Sequence, residues 1–203
     1  RMQLLALATV SFSQGIPFYH AGSEMLRSKS GDGDSYNAGD YFNRIDFSLK
    51  TNNWGVGLPS KEKNFNEWDY WAARLRSNEL KVDHKLIKFS VNEFIKQLEI
   101  RKSYKIFRQK VGQSIISQLK FLNAEKGKQR IPGLIVAYYD SDKPLVVIFN
   151  PLDKTIEFRH PIFRKSWELV PQLQNSSMSE GFKLSKKGFR IEGLSYAILE
   201  EYE

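Results

Sequence analysis

The densest set of side chains able to do chemistry lies in Asp40-Tyr41-Phe42-Asn43-Arg44. A carboxylate and a guanidinium four residues apart fall on one face of a helical turn, where they either pair and close a loop or stay open to a ligand. In the open state Asp40 accepts and Arg44 donates hydrogen bonds to vicinal hydroxyls, while neighbouring aromatic rings cover an apolar sugar face. The stretch supports both readings, an internal salt bridge and a polyol clamp.

Other motifs carry less. Asp32-Gly33-Asp34 opens like a calcium loop, but Tyr36, Asn37 and Asn43 stand where an EF-hand needs a ligand, a glycine and a glutamate. An irregular oxygen-ligated site stays open there. Gly22-Ser23-Glu24 fails the last position of a nucleophile elbow, and no phosphate-binding glycine loop is present. Asn175-Ser176-Ser177 is a formal glycosylation sequon, relevant only to a secreted protein. The sequence has no Cys, which excludes disulfides, thiolate metal sites and Cys nucleophiles, and only three widely spaced His. No metal site and no required cofactor are expected, a structural calcium apart. His20 reads as a satisfied residue at the end of an apolar strand, His84 and His160 as surface residues. Trp54 and Trp71 read as loop and helix anchors.

These residues must be held by a scaffold. The 203 residues, 41% hydrophobic and 13% aromatic, suffice for one domain or two small ones with a sizeable core. Net charge is +8, but residues 101–203 hold 18 basic and 11 acidic side chains against 13 and 12 in residues 1–100. The cations come in ones and twos, which fits a solvated face better than a nucleic-acid stripe, so no nucleic acid is expected. The opening apolar run Leu4–Val10 mimics a signal peptide but is shorter than the ~20 residues of a membrane span. Met2, Leu5, Thr9 and Phe12 share a helical face, with Leu4 and Ala8 beside it. A buried helix cut mid-element is the expectation, in a chain that looks truncated.

Gln14–Gly22 then reads as a short strand buried on both faces, as in a parallel sheet. A helix, a glycine joint and such a strand is the repeating step of an α/β barrel, and the long polar loop 24–68 would leave the strand end where such folds place their sites. Ile87, Val91, Phe94, Ile95 and Leu98 mark the apolar face of a helix ending near 102–104, with Glu93 and Gln97 on its polar side. Beyond it, short β-type runs follow at Ser114–Leu122, Leu134–Tyr139, Leu145–Phe149, Thr155–Phe158, Trp167–Val170, Phe189–Ile191 and Ser195–Leu199, separated by turn clusters. Trp167 alternates into the core. The pattern predicts an antiparallel sandwich, with the domain boundary between 104 and 112.

Several stretches carry a family resemblance. Ser13-Gln14-Gly15-Ile16-Pro17-Phe18-Tyr19-His20-Ala21-Gly22-Ser23-Glu24 resembles the eighth-strand region of α-amylase-type glycoside hydrolases, family 13. Leu26–Ser30, Asp34–Phe47 and Thr51-Asn52-Asn53-Trp54-Gly55-Val56-Gly57-Leu58-Pro59 narrow it to the type I pullulanases of the limit-dextrinase branch. The likeness is dense over 2–64 and looser through Ile131–Val136 and Pro171–Ser177 to the end.

The resemblance implies a C-terminal piece of a retaining starch-debranching enzyme that cuts α-1,6 linkages in pullulan, amylopectin and limit dextrins. Its catalytic carboxylates follow barrel strands four, five and seven, all upstream of this chain, so the piece alone is expected to be inactive. Residues 1–106 would close a (β/α)8 barrel, with the upstream barrel of the same chain as partner, and residues 107–203 would form the C-terminal β-sandwich. Asp40 and Arg44 match residues beside the glycone-side subsites. Tyr41 takes a place more often held by Trp, Asn66 falls near an Asp that lines the cleft in plant relatives, and Gly33 stands where some plant members have Arg. All four of Asp40, Tyr41, Arg44 and Asn66 are candidate contacts to a branched α-glucan. The compartment would be the plastid in a plant, the cytoplasm or exterior in a bacterium. The alternative is a stand-alone glucan-binding or regulatory module without catalysis.

Overall fold

Alternation of apolar and polar residues in the C-terminal half, broken by Gly, Pro and Asp turns, gives strands in the computed structural model, which describes residues 1–124 and 130–202. In chain order the elements are α1 (Met2–Ser11), α2 (Asp40–Asn43), α3 (Lys61–Asn64), α4 (Trp68–Arg76), α5 (His84–Ser103), α6 (Gly112–Gln118), β1 (Leu119–Phe121), β2 (Ile135–Tyr139), β3 (Leu145–Asn150), β4 (Ile156–Arg159), β5 (Trp167–Leu169), β6 (Lys183–Ser185), β7 (Gly188–Ile191) and β8 (Ser195–Glu201), with short 3-10 turns between several of them. Packing divides the chain into two units, residues 1–18 with 93–203, and residues 19–92.

The first unit is built on two antiparallel sheets, one ordered β1-β2-β3-β8-β5 and one ordered β4-β7-β6. Their facing sides share a core that includes Val136, Ile148, Phe158, Trp167, Phe189 and Leu199. Trp167 is buried as expected, and its indole N–H donates to the Ile162 carbonyl at 2.9 Å. Every residue of β3 is buried, so the larger sheet is covered on its second face too. There Phe12, at the end of α1, meets Phe107 at 5.4 Å and Tyr196 at 5.6 Å between ring centroids.

The buried face of α5 is mixed: Ile87 and Phe94 of the expected apolar stripe are buried, and so is part of the side expected to be polar. Glu93 and Gln97 are buried, while Ile95 and Leu98 are exposed. A polar network holds the buried polar residues in place. Gln97 donates to the Leu4 carbonyl and accepts from the Ser11 hydroxyl, both at 3.0 Å. Ser176 donates to Glu93, and Arg101 donates to the carbonyls of Ser11, Ser13 and Gly15 at 2.6–2.8 Å. On α1, Leu4, Leu5, Leu7, Ala8 and Ser11 are buried, whereas Met2 and Thr9 face outward, which corrects half of the expected stripe.

Two strand expectations also change. Residues 16–20 carry no strand, because no described neighbour hydrogen-bonds them into a ladder, and Ile16, Phe18 and His20 are exposed. His20 is thus no satisfied wall residue within this chain. Ser114–Leu122 splits into α6 and the three-residue β1, since the Ile115-Ile116 pair lies on a short helix with Ile116 exposed. The sequence pattern also misses β6, whose Lys183-Leu184-Ser185 has too little apolar character to signal a strand.

The second unit has little regular structure before α4 and is organised by loops. Leu26, Ser30, Leu49 and Asn53 all take positive φ, as does Gly31 at +83°. A side chain at Gly31 would begin 2.3 Å from the Trp71 ring, so only glycine lets the loop lie on α4. Trp71 meets Trp54 and Tyr70 edge-on and donates to Glu67 at 3.1 Å, and Trp68 donates to the Pro59 carbonyl at 2.8 Å. Trp54 and Trp71 therefore anchor loop and helix, as expected.

Candidate functional site

Three of the four candidate sugar contacts share one turn. Gly39, at φ +75°, starts α2, and the Arg44 amide closes it on the Asp40 carbonyl at 2.9 Å. Asp40, Tyr41 and Arg44 are all exposed. The Asp40–Arg44 salt bridge does not form among the described residues. Arg44 instead turns its Nε to Asn53 Oδ1 at 3.2 Å, and Asn53 Nδ2 donates to the Arg44 carbonyl at 2.7 Å.

Asn53 is itself fixed. It is buried, its backbone takes φ +67°, its amide donates to the Thr51 hydroxyl at 3.1 Å, and its carbonyl accepts from Ser30 Oγ at 2.6 Å. Thr51 is positioned in turn by Asp46, whose carboxylate accepts from the amides of Ser48 and Thr51. Hydrogen bonds from the Ser48 hydroxyl, then from backbone amides, hold the Asp46 carboxyl below its ordinary range. On the other side of the turn, Arg27 donates to the Asn43 carbonyl and Lys29 to Asn43 Oδ1, while Asn43 Nδ2 donates to the Ser35 carbonyl at 2.7 Å. Burial, then the charge of Arg27, lowers the Lys29 ammonium from its usual value.

The result is an exposed carboxylate and a guanidinium gripped only at its Nε end, one helical turn apart on a buttressed loop. Such a pair accepts from and donates to adjacent hydroxyls without first breaking an internal ion pair. Tyr41 stands edge-on to Phe42 at 5.3 Å and lies over Gly57, where a side chain would begin 3.4 Å from its ring. Gly57 also lines a cavity of about 230 Å³ with Leu58, Ala72 and Leu75. Asn66 is exposed on a separate 3-10 turn (Phe65–Glu67), with no hydrogen bond to the α2 residues among the described ones. The structure thus places Asp40, Tyr41 and Arg44 on one turn, with Asn66 on a different element.

The Asp32–Asn37 loop is occupied by the protein's own cation. Lys63 Nζ lies 2.8 Å from Asp34 Oδ2 and 2.8 Å from Asn37 Oδ1, which lowers the Asp34 carboxyl and raises the Lys63 ammonium. With that ammonium in place, the loop does not fit an open calcium site, and no group of three His, Asp or Glu able to hold a metal occurs among the described residues. No helix among them is long and apolar enough to cross a membrane. His84 is exposed as expected, while His160 is half-buried and caps a 3-10 turn by accepting from the Ile162 amide.

Asn53, Asn43, Arg27 and Lys29 also belong to this site, beyond the residues that charge and spacing single out. For Asn53 the signal lies in Thr51-Asn52-Asn53, since side-chain amides in a loop are frequently the residues that fix it.

The chain matches the family model described as alpha-1,6-glucosidases, pullulanase-type, C-terminal, over residues 49–201. It is 46% identical over 186 residues to pullulanase 1, chloroplastic, of Arabidopsis thaliana, covering 84% of this chain and 19% of that protein. Pullulanase of Klebsiella aerogenes is 36% identical over 140 residues, 69% of this chain and 12% of its own length. The structure of Klebsiella pneumoniae pullulanase complexed with maltotriose superimposes with a TM-score of 0.84 at 28% identity, over 99% of this chain and 20% of that one. The chain therefore spans a fifth or less of each of these three relatives. An antiparallel two-sheet fold, a matching family model over most of the chain and this degree of identity agree: the chain belongs to the pullulanase-type alpha-1,6-glucosidase family, of which it represents the C-terminal region.

Proposed function

We propose that this chain is the C-terminal part of a starch-debranching glycoside hydrolase that cleaves α-1,6 linkages in pullulan, amylopectin and limit dextrins, and that it contributes sugar contacts rather than the catalytic carboxylates. In this reading residues 1–106 close a (β/α)8 barrel begun by upstream sequence, and residues 107–203 form the C-terminal sandwich. The exposed apolar side chains of Ile16 and Phe18 support it, because an extended segment with exposed hydrophobic residues is what a barrel strand without its neighbours presents. The reaction would proceed with retention, through carboxylates ~5–5.5 Å apart. It requires no cofactor, and the isolated chain is inactive. A plant source would place the enzyme in the plastid, in keeping with the name of the Arabidopsis relative.

The observation that carries the role of the site is the unpaired geometry of Asp40 and Arg44. Arg44 is held by Asn53 through its Nε, which leaves its terminal nitrogens for a ligand, and Asp40 is exposed one turn away. Tyr41 supplies an aromatic face beside them.

Steady-state kinetics of Arg44→Ala in the full-length enzyme test this. KM for a branched dextrin rises about tenfold and kcat/KM falls in proportion, as expected for loss of a charged hydrogen bond of roughly 1.5 kcal/mol. Kinetics equal to wild type would return the loop to a purely structural role. Micromolar binding of dextrin by the 203-residue chain alone would favour a self-sufficient binding module instead.

A further inference from the structure

The outer face of the three-stranded sheet collects cations around a glycine gap. Strand register places Glu157, Arg190 and Lys183 in one row across β4, β7 and β6, and Arg159, Gly188 and Ser185 in the next. All of these except Gly188 are exposed, as is Lys187 in the hairpin between β6 and β7. A side chain at Gly188 would begin 1.9 Å from the Phe158 carbonyl oxygen, so the β4–β7 approach requires glycine there. The missing side chain leaves a groove of about 340 Å³ whose lining includes Arg159, Lys183, Lys187 and Arg190, with Glu157 as its one carboxylate.

Glu157 faces Arg190 across β4 and β7, and the other cations of this face are less compensated. Arg190 and Lys183 are directly opposed on one face of an antiparallel pair, where like charges repel. Among the described residues, Arg190 reaches Glu192 only at 3.5 Å, and Arg159, Lys183 and Lys187 make no ion pair. Two guanidiniums offer paired donors with the geometry of a phosphate oxygen edge, and two ammoniums add point charge.

We propose that this groove is a binding site for a single phosphate group, free or carried as a monoester on a sugar, with Arg159 and Arg190 as the oxyanion forks and Lys183 and Lys187 as flanking cations. The site takes one anionic group rather than a polyanion. Glu157 and Glu192 bound the cationic patch, whereas a nucleic-acid track needs cations continued along a stripe. Ser185 is not free to lead recognition, because its hydroxyl donates to the Gly188 carbonyl at 3.0 Å and accepts from the Lys187 amide.

Calorimetric titration of the full-length protein at low ionic strength tests the site, with inorganic phosphate, glucose 6-phosphate and glucose as probes. The expected result is saturable binding of both phosphates and none of glucose. Equal affinities identify free phosphate as the ligand, and tighter glucose 6-phosphate identifies a sugar phosphate. The double substitution Arg159→Gln, Lys183→Gln weakens both at least about tenfold with an unchanged Tm, while Lys88→Gln, an exposed lysine on α5 outside the groove, has no effect. Absence of saturable phosphate binding overturns the proposal. So does equal binding by the double variant and the wild type, or binding of heparin that is lost in the double variant while phosphate is not bound.

Discussion

Asn53 grips Arg44 by both of its polar ends, with Oδ1 on the guanidinium Nε and Nδ2 on the main-chain carbonyl. The same side chain therefore sets where the Arg44 backbone turns and which way its guanidinium points. A residue that never touches substrate in the proposed reading controls one that does. Because Asn53 sits at φ +67°, Asn53→Gly removes the grip without straining the backbone. In the full-length enzyme this substitution should raise KM for branched dextrin by about three- to tenfold and leave kcat nearly unchanged, a charged hydrogen bond being worth roughly 1.5 kcal/mol or somewhat less when partly exposed. Wild-type KM for Asn53→Gly beside an impaired Arg44→Ala would show that Arg44 needs no such positioning.

Arg101 makes a different kind of prediction, about stability. It is buried and donates to three main-chain carbonyls of one descending segment, those of Ser11, Ser13 and Gly15. Arg101→Met keeps the aliphatic stem but strips those carbonyls of charged donors. A loss of about 3–5 kcal/mol in urea unfolding is expected. Arg101→Lys should recover only part of it, because one ammonium does not reproduce the planar fork. A loss below about 1 kcal/mol for Arg101→Met would mean that water replaces the guanidinium at no cost.

Alkaline stability follows from the tyrosines. Burial, then the charge of Asp140 and a hydrogen bond to it, pushes the Tyr138 phenol up to about 12 from an ordinary 10.0. Tyr104 is raised further by burial and by Glu200, and Tyr196 by burial. The unfolded chain releases these protons near pH 10 while the folded chain keeps them. Their contribution is fully present below pH 10 and is lost as pH rises toward the folded values. The free energy of unfolding should therefore fall steeply between pH 10 and 12, and Tyr138→Phe should flatten that slope. Phenolate absorbance that titrates fully near pH 10 in the folded protein would contradict this.

The strands of the C-terminal half were legible because alternation reports burial directly. Ile156 and Phe158 are buried while Glu157 and Arg159 are exposed, and Trp167 points inward as its neighbours imply. Helix α5 was legible as a helix, but its buried face only in part: Ile87 and Phe94 are buried as the stripe implies, Ile95 and Leu98 are not. Periodicity favours the apolar stripe, whereas Gln97 and Arg101 are buried because distant carbonyls of residues 4–15 need donors, a requirement that no local pattern contains. The segment 16–20 failed for a related reason: apolar composition predicts a strand, but a strand also needs a neighbour to pair with. At the candidate site, Asp40 and Arg44 stood out by charge and spacing. Their failure to pair did not, since it depends on Asn53, nine residues beyond Arg44 and held in a left-handed turn.

Phe12 packs against Phe107, Phe149 and Tyr196, and the Tyr139 hydroxyl donates to its carbonyl at 3.1 Å. Its last aromatic partner is therefore made some 184 residues later on the ribosome. At roughly 5–20 residues per second that interval is about 9–37 s, during which the cover over Phe12 is built up in steps, from Phe107 through Phe149 to Tyr196. The packing of α1 is thus completed only as β8 emerges, 184 residues of synthesis after Phe12 itself.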